Sequence, residues 1–419
     1  MRILIVYSCL PLGGIETFLL RLIKQLKNKG FQVSVLFFSH KFDEKLYLEL
    51  SSYAKIQHWD DFVYMPKFLK NTFPVFKLLF PLKVSKIKKD LLSDITHIHA
   101  PDINSLLFSS RLLNYNKNIS CSTGVYHINE FNVNPFKTTY FGKQLIQFVS
   151  ILPFQNILFF NEISKKVYNA DFQNKFQDSL VAPIGIDLQK YEGSLAGIQN
   201  KRITSIGRLA SWKTYNFYMI EVIEKLNKKN IFLTYESFGD GEQRTELEKL
   251  VKIKNLEKQI FFHNAISYDL FKQKIENSLL FIGSGTALIE ASACGIPALI
   301  GVENLNEAST YGFLHNTTSY SYQEKQLDYP KNEIEYFIQK LLNQSPNEYK
   351  KECEKARDRA TDFSIETSTT IFLDMIKNSK CWRIEMSWFK TLSFVISLII
   401  HLLCTKIKKT YHLSFFNRL

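Results

Sequence analysis

The sequence predicts an α/β protein made of two consecutive doubly wound parallel sheets (Rossmann-like) followed by a helical tail. Three observations carry this. Short apolar runs alternate with helix-period segments over most of the 419 residues. A polar, proline- and glycine-bearing stretch interrupts the alternation once, after which it restarts. The final residues abandon it for a single long apolar segment. At this length two or three domains are expected, and 45% hydrophobic with 22% charged residues is a globular composition able to fill sizeable cores.

The first element is Ile3–Tyr7, a continuous apolar run of the kind a strand buried on both faces requires. Arg2 ahead of the apolar stretch to Leu12 imitates a secretory signal, but no small-residue cleavage site follows and an amphipathic helix begins at once. In that helix Ile15, Phe18, Leu19, Leu22, Ile23 and Leu26 fall on one face, and Gly30 closes it as a C-cap. Gln32–Phe38, Ile95–His99, Ile119–Val125 and Ile157–Phe160 are the further strands of a domain expected over 1–182.

Ala182-Pro183-Ile184-Gly185-Ile186-Asp187 and the polar residues through Gly193, Gly197 and Asn200 predict a linker over 183–200. The alternation then restarts with Arg202–Ile206, Phe232–Glu236, Ile260–His263, Leu279–Ile282 and Ala298–Val302, giving a second domain over 201–376. Ligands of such sheets sit beyond the carboxyl ends of the strands, so two facing sheets are expected to put a site in the cleft between them.

Two segments leave the pattern. Between Tyr64 and Lys89, Lys67, Lys70, Lys77, Lys83, Lys86, Lys88 and Lys89 are interleaved with Phe68, Phe73, Phe76, Leu78, Leu79 and Phe80. The tail, 377–419, contains the apolar run Leu392–Thr405, broken only by Ser393, Ser397, His401 and Thr405 at intervals of four. A helix of that length covers about 21 Å, short of the roughly 30 Å hydrocarbon core. Its narrow polar stripe and the flanking Lys390, Lys406, Lys408 and Lys409 suit an amphipathic helix lying in an anionic membrane interface; the alternative is a helix docked on the protein's own surface.

A net charge of +13 implies an anionic partner: nucleic acid, anionic lipid or a phosphorylated small molecule. No recognition-helix, zinc-finger or aromatic RNP pattern supports nucleic acid. The cysteines (Cys9, Cys121, Cys294, Cys353, Cys381, Cys404) are scattered without zinc or disulfide spacing, which suits a reducing cytosol. His97 and His99 belong to a strand and lack companion ligands, so no metal is expected at this pair.

The most informative stretch is Gly283-Ser284-Gly285-Thr286-Ala287-Leu288-Ile289-Glu290-Ala291, running on to Cys294-Gly295-Ile296-Pro297. Strand, glycine loop and helix N-terminus make an anion site, because free N–H groups and the helix dipole point at the loop. Glu290, one turn inside, is suited to neighbouring ribose hydroxyls. A dinucleotide fold fails, because Leu288 stands where a third glycine belongs. Gly207-Arg208 follows the strand Arg202–Ile206, with Lys213 five residues on; two cations at a strand end form a diphosphate clamp.

These pieces, with Gly13-Gly14-Ile15-Glu16, Pro183–Asp187 and Gly239-Asp240-Gly241-Glu242, resemble the retaining glycosyltransferases of the GT-B fold, and the chain is similar to glycosyltransferase family 4 over about residues 1–376. The resemblance implies that Arg208 and Lys213 bind the donor diphosphate, that Glu290 holds the ribose, and that Ser284, Gly285, Thr286 and Ala287 line the donor site. It further implies that Gly14 lets the first loop approach without obstruction, that His127 faces the donor sugar, and that neither a metal nor another cofactor is needed. One departure stands out. The family has two glutamates separated by seven residues, the first contacting the sugar, and here that first position is Ile282, with Ser284 the nearest hydroxyl. Asp102, Glu130 and Asp240 are candidate acceptor contacts.

The expected function is therefore a hexosyltransferase-like enzyme using a nucleotide-diphosphate sugar and a lipid-linked glycan, peripheral on the cytoplasmic face of the plasma membrane, in surface polysaccharide synthesis such as capsule or O-antigen. A sugar-nucleotide epimerase on the same scaffold and a non-catalytic partner subunit are the competing readings.

Overall fold

The computed structural model describes residues 1–11, 13–66, 69, 74–126, 128, 140–191, 201–384 and 388–408. The chain divides into two compact units, Met1–Ile184 with Glu366–Leu419, and Gly185–Ile365. The second unit is thus an insertion within the first. Residues 366–376, expected with the second domain, and the tail both belong to unit 1.

Unit 1 holds a seven-stranded sheet: β1 (Arg2–Tyr7), β2 (Gln32–Phe37), β3 (Lys55–His58), β4 (His97–Ala100), β5 (Ser120–Val125), β6 (Ile157–Phe159) and β7 (Leu180–Val181), in the spatial order 3-2-1-4-5-6-7. Every pairing is parallel. The order reverses between β1 and β4, which is the switch point of a doubly wound sheet. β1 is buried from Ile3 onward because helices cover both faces. The helix Gly14–Asn28 buries the apolar positions read from the sequence, and Gly30 follows it at φ +84°, a left-handed conformation that glycine adopts without strain. β3 and β7 have too few apolar residues to stand out in the sequence.

The two histidines of β4 are structural. His97 bonds Ser120 and Ser122, and His99 bonds Ser122 and Tyr126, at 2.7–3.1 Å. Both are fully enclosed, and burial pushes their pKa values down to about 3, so the imidazoles are neutral. Asp102 caps the helix Ile103–Leu113 by accepting from the Ser105 N–H.

The lysine–phenylalanine segment folds into this unit. Val75 and Leu78 are core residues, with Phe76, Leu79 and Phe80 packed against the core. Lys77 is 1% exposed and donates to Asp60 at 2.7 Å. Lys67, Phe68, Lys70 and Phe73 lie outside the described residues.

The tail forms the helix Trp388–Lys408, longer than the sequence pattern predicts. No described helix is long and apolar enough to cross a membrane. Phe394, Val395 and Leu398 enter the unit 1 core, while Ser393 and Ser397 bond Tyr140 and Gln144 of the helix Tyr140–Ile151. One side of the helix is thus docked on the protein itself, the alternative read from the sequence. These two serines of the polar stripe face the protein, because the neighbouring helix offers them hydrogen-bond partners, and the outer side carries Phe389, Ile396 and Ile400.

Unit 2 holds a five-stranded parallel sheet: β8 (Arg202–Ile206), β9 (Thr234–Phe238), β10 (Ile260–His263), β11 (Leu280–Gly283) and β12 (Ala298–Ile300), in the order 10-9-8-11-12. β9 lies two residues later than the expected Phe232–Glu236. Pairing along β8 sets its bounds, from Arg202 against Thr234 at one end to Ile206 against Phe238 at the other. Where the chain enters and leaves this unit, the Ile186 N–H donates to Phe363 O and the Ile365 N–H to Ile186 O, each at 2.9 Å.

Candidate active site

The strand order of unit 2 reverses between β8 and β11, so the loops following these two strands become neighbours despite 74 residues of separation between bonded positions such as Thr204 and Ser278. The first loop is Gly207-Arg208-Leu209. Gly207 has φ +152°, and a Cβ there would lie 2.9 Å from Lys213 Nζ, so the ammonium rests against bare glycine backbone. Gly239 and Gly241 press on the same loop from beyond β9. A Cβ on either would fall 1.9 Å from Gly207 O or 2.2 Å from Leu209 O. The Gly207 N–H donates to Phe238 O and the Leu209 N–H to Asp240 O, both at 3.0 Å, which fixes the loop.

Arg208 is exposed and Lys213 half-buried. Among the described residues neither has an ion-pair partner within 4.0 Å. Burial pulls the Lys213 pKa below its ordinary value; Glu303 works against this shift and Arg208 adds to it. Two neighbouring cations without a carboxylate contact are set up for a polyanion.

The second loop is Ser284-Gly285, at the start of the helix Thr286–Ala293. Gly285 has φ +69°, a left-handed conformation that favours glycine at this turn into the helix. Helix geometry leaves the N–H groups of Thr286 and Ala287 without intrahelical acceptors. The Gly285 N–H donates to Gln323 Oε1 at 2.5 Å, and Tyr322 OH donates to Gly285 O at 3.1 Å. Glu290 is 2% exposed, which rules out a solvated surface glutamate. Ile282 is 0% exposed and packs into the apolar core of the unit, so it adds nothing to the polar loops.

Three polar residues here have no motif in the sequence. Glu303, beyond β12, accepts from Ser284 Oγ at 2.8 Å, and its main chain is held by Gln323 O at 2.8 Å. Burial pushes its carboxyl pKa up, with Lys213 and Ser284 opposing. Gln323 caps Gly285, and burial with the nearby Glu303 charge drives the Glu324 carboxyl up to about 7. The signal that finds Glu303 is the one that finds Arg208: it follows the carboxyl end of a buried strand.

His127 and Glu130 lie outside the described residues. Gly14 opens the first helix of unit 1, and a Cβ there meets nothing within 4 Å. Asp240 pairs with Arg244 at 2.7 Å and accepts from the Ala265 N–H, so it serves the loop. Among the described residues, no group of three or more His, Cys, Asp or Glu is placed to hold a metal ion.

The segment containing both loops decides the comparison. Residues 194–309 match the family described as Glycosyl transferases group 1. This group 1 segment includes Arg208, Lys213, the Ser284–Ala287 loop, Glu290 and Glu303. A Haemophilus influenzae protein described as an uncharacterized glycosyltransferase is 25% identical over 368 residues, covering 84% of this chain and 93% of that relative. A glycosyltransferase from Rickettsia africae ESF-5 superimposes with a TM-score of 0.61 at 17% identity, over 90% of this chain and 97% of that one. A TarM mutant from S. aureus, in complex with Fondaparinux, alpha-GlcNAc-glycerol and UDP, gives 0.62 at 12% identity over 90% and 100%. The two parallel sheets, one of them within the group 1 segment, are those of the GT-B fold.

Proposed function

We propose that the chain is a glycosyltransferase that moves a sugar from a nucleoside diphosphate to a hydroxyl of a lipid-linked glycan, with retention of anomeric configuration. The carrying observation is the pair Arg208 and Lys213, free of carboxylate contacts beyond the carboxyl end of β8, in the unit whose Ser284-Gly285 loop opens a helix N-terminus. The acceptor oxygen bonds to the anomeric carbon on the face the diphosphate leaves. The bond from that carbon to the phosphate oxygen breaks, its electron pair stays on the diphosphate, and the acceptor's proton passes to a phosphate oxygen. Charge therefore grows where the guanidinium and ammonium stand, and stabilising it there lowers the barrier. Positioning supplies the remainder. Buried Glu290 is assigned to the ribose hydroxyls, and the Thr286 and Ala287 amides to phosphate.

The test is a titration of the full chain with UDP-, GDP-, ADP- and dTDP-linked sugars, read as melting temperature. A donor that binds only the folded state raises it. A flat response to all of them sinks the reading.

The same reading puts the enzyme on the inner face of the plasma membrane, in surface polysaccharide synthesis such as capsule or O-antigen. Support comes from the outer stripe of the tail helix, where Phe389, Ile396 and Ile400 are 76%, 46% and 55% exposed, beside exposed Lys390, and from the net charge of +13. Deleting the tail would remove core residues, so point changes are the cleaner probe. Ile396→Asp with Ile400→Asp is expected to reduce co-sedimentation with phosphatidylglycerol vesicles roughly tenfold or more, given the apolar area withdrawn from lipid. Undiminished binding would show that the tail is not the anchor.

A further inference from the structure

A carboxylate beside a diphosphate clamp is electrostatically out of place. Glu303 shares its immediate surroundings with Lys213, and the charge of a bound diphosphate would be repelled by it. Its position is nonetheless firmly built. Oε1 accepts the Ser284 hydroxyl at 2.8 Å, its own N–H donates to Gln323 O at 2.8 Å, and the next residue's N–H, that of Asn304, donates to Trp212 O at 2.7 Å. The last bond ties the Glu303 segment to the loop that carries Lys213. Lys213 does not neutralise it by direct contact, since the ammonium and carboxylate are more than 4.0 Å apart. Glu303 remains partly exposed, and no hydrogen bond to its Oε2 occurs among the described residues.

A fixed, partly open acceptor beside cations suits a ligand that is anionic at one end and rich in hydroxyl donors at the other. We propose that Glu303 is the specificity-determining residue for the donor sugar: Oε2 accepts hydrogen bonds from hydroxyls of the hexose, while Arg208 and Lys213 take the diphosphate that carries it. This rests on the glycosyl-transfer reading and extends it. The arrangement discriminates between substrate and product. With the hexose attached, the sugar's hydroxyls compensate the carboxylate's repulsion. Once the hexose has been transferred, the repulsion is uncompensated and favours release of the bare nucleoside diphosphate.

The prediction is a crossing of affinities that general damage does not produce. Full-length wild type, Glu303→Gln and Glu303→Asp are titrated calorimetrically with UDP, GDP, ADP and dTDP and with the glucose, galactose, mannose and N-acetylglucosamine conjugates of each. For the nucleotide that the wild type binds, Glu303→Gln is expected to lose roughly 10- to 100-fold in affinity for the preferred conjugate, the range for hydrogen bonds to a charged acceptor. Its affinity for the bare diphosphate is expected to hold or to rise a few-fold. Glu303→Asp keeps the charge but withdraws the acceptor by one methylene, so it should lose the conjugate and bind the diphosphate as the wild type does. A parallel loss of both ligands, or unchanged conjugate binding, overturns the role of Glu303 and leaves the glycosyl-transfer reading intact. A wild type that binds no nucleotide overturns both.

Discussion

Replacing Lys213 by alanine is expected to lower kcat/KM roughly 100- to 1,000-fold, the scale found when a positioned stabiliser of developing negative charge is removed. Arginine is not expected to restore activity. The Lys213 nitrogen lies 2.9 Å from where a Cβ on Gly207 would stand, and a planar guanidinium is wider than the ammonium that fits there. The unliganded protein should respond in the opposite sense. Lys213 is drawn out of water with no carboxylate in contact, an arrangement that costs stability until an anion arrives. Lys213→Met is therefore expected to melt a few degrees higher than the wild type while losing activity. The sign with pH is fixed by the lowered folded-state pKa. The penalty on the wild type is complete below that value and disappears as pH rises past the ordinary 10.5, where the unfolded lysine is also neutral. Steady-state kinetics together with melting curves at neutral pH and near pH 10.5 check both halves. A variant that loses activity and stability together would mean that Lys213 is structural.

Gly239→Ala is expected to be the most damaging small substitution in unit 2. Its Cβ would stand 1.9 Å from Gly207 O and 2.8 Å from Gly207 C, both main-chain atoms that no rotamer change can clear. Relief requires β8 and β9 to part at their carboxyl ends, breaking the bond from the Gly207 N–H to Phe238 O. The cost is expected to be about 3 kcal/mol or more, in the range of forced overpacking with a lost hydrogen bond. Denaturant unfolding reads it directly. Because the displaced loop also seats Lys213, diphosphate affinity should fall in step with stability. Gly14, where a Cβ meets nothing within 4 Å, provides the contrast. Wild-type stability in Gly239→Ala would mean that the two strand ends are not held together as described.

Much of the sheet architecture was legible because buried parallel strands are continuous apolar runs with glycine at their exits. Leu280–Ile282, followed by Gly283, shows both, and Ile3–Val6 shows the apolar run. The placement of Arg208 and Ser284 just past strand ends was legible for the same reason, since both closely follow such runs. Spatial strand order was not legible. Glu303 becomes a neighbour of Ser284 only because β12 pairs with β11, Gly283 against Ile300, and no local pattern encodes that pairing. Lys77 reads as one solvated lysine among seven until Asp60, 17 residues away, closes on it. The tail illustrates a different limit. Its period of four was plain, but periodicity reports that a helix has two sides without saying which one the rest of the chain will cover.

The insertion of residues 185–365 within unit 1 has a consequence for biosynthesis. Trp382 fills a gap in the first sheet's core, its indole donating to Cys121 O at 2.7 Å, and Asn156 is bonded by the Lys380 N–H at 2.9 Å. On the ribosome, the first lobe to emerge must therefore wait, incomplete, until nearly the whole polypeptide has been made. The later-translated lobe, contiguous in the chain, is able to finish before it. Nascent protein halted anywhere before residue 380 would expose an unsealed hydrophobic interior to chaperones and proteases.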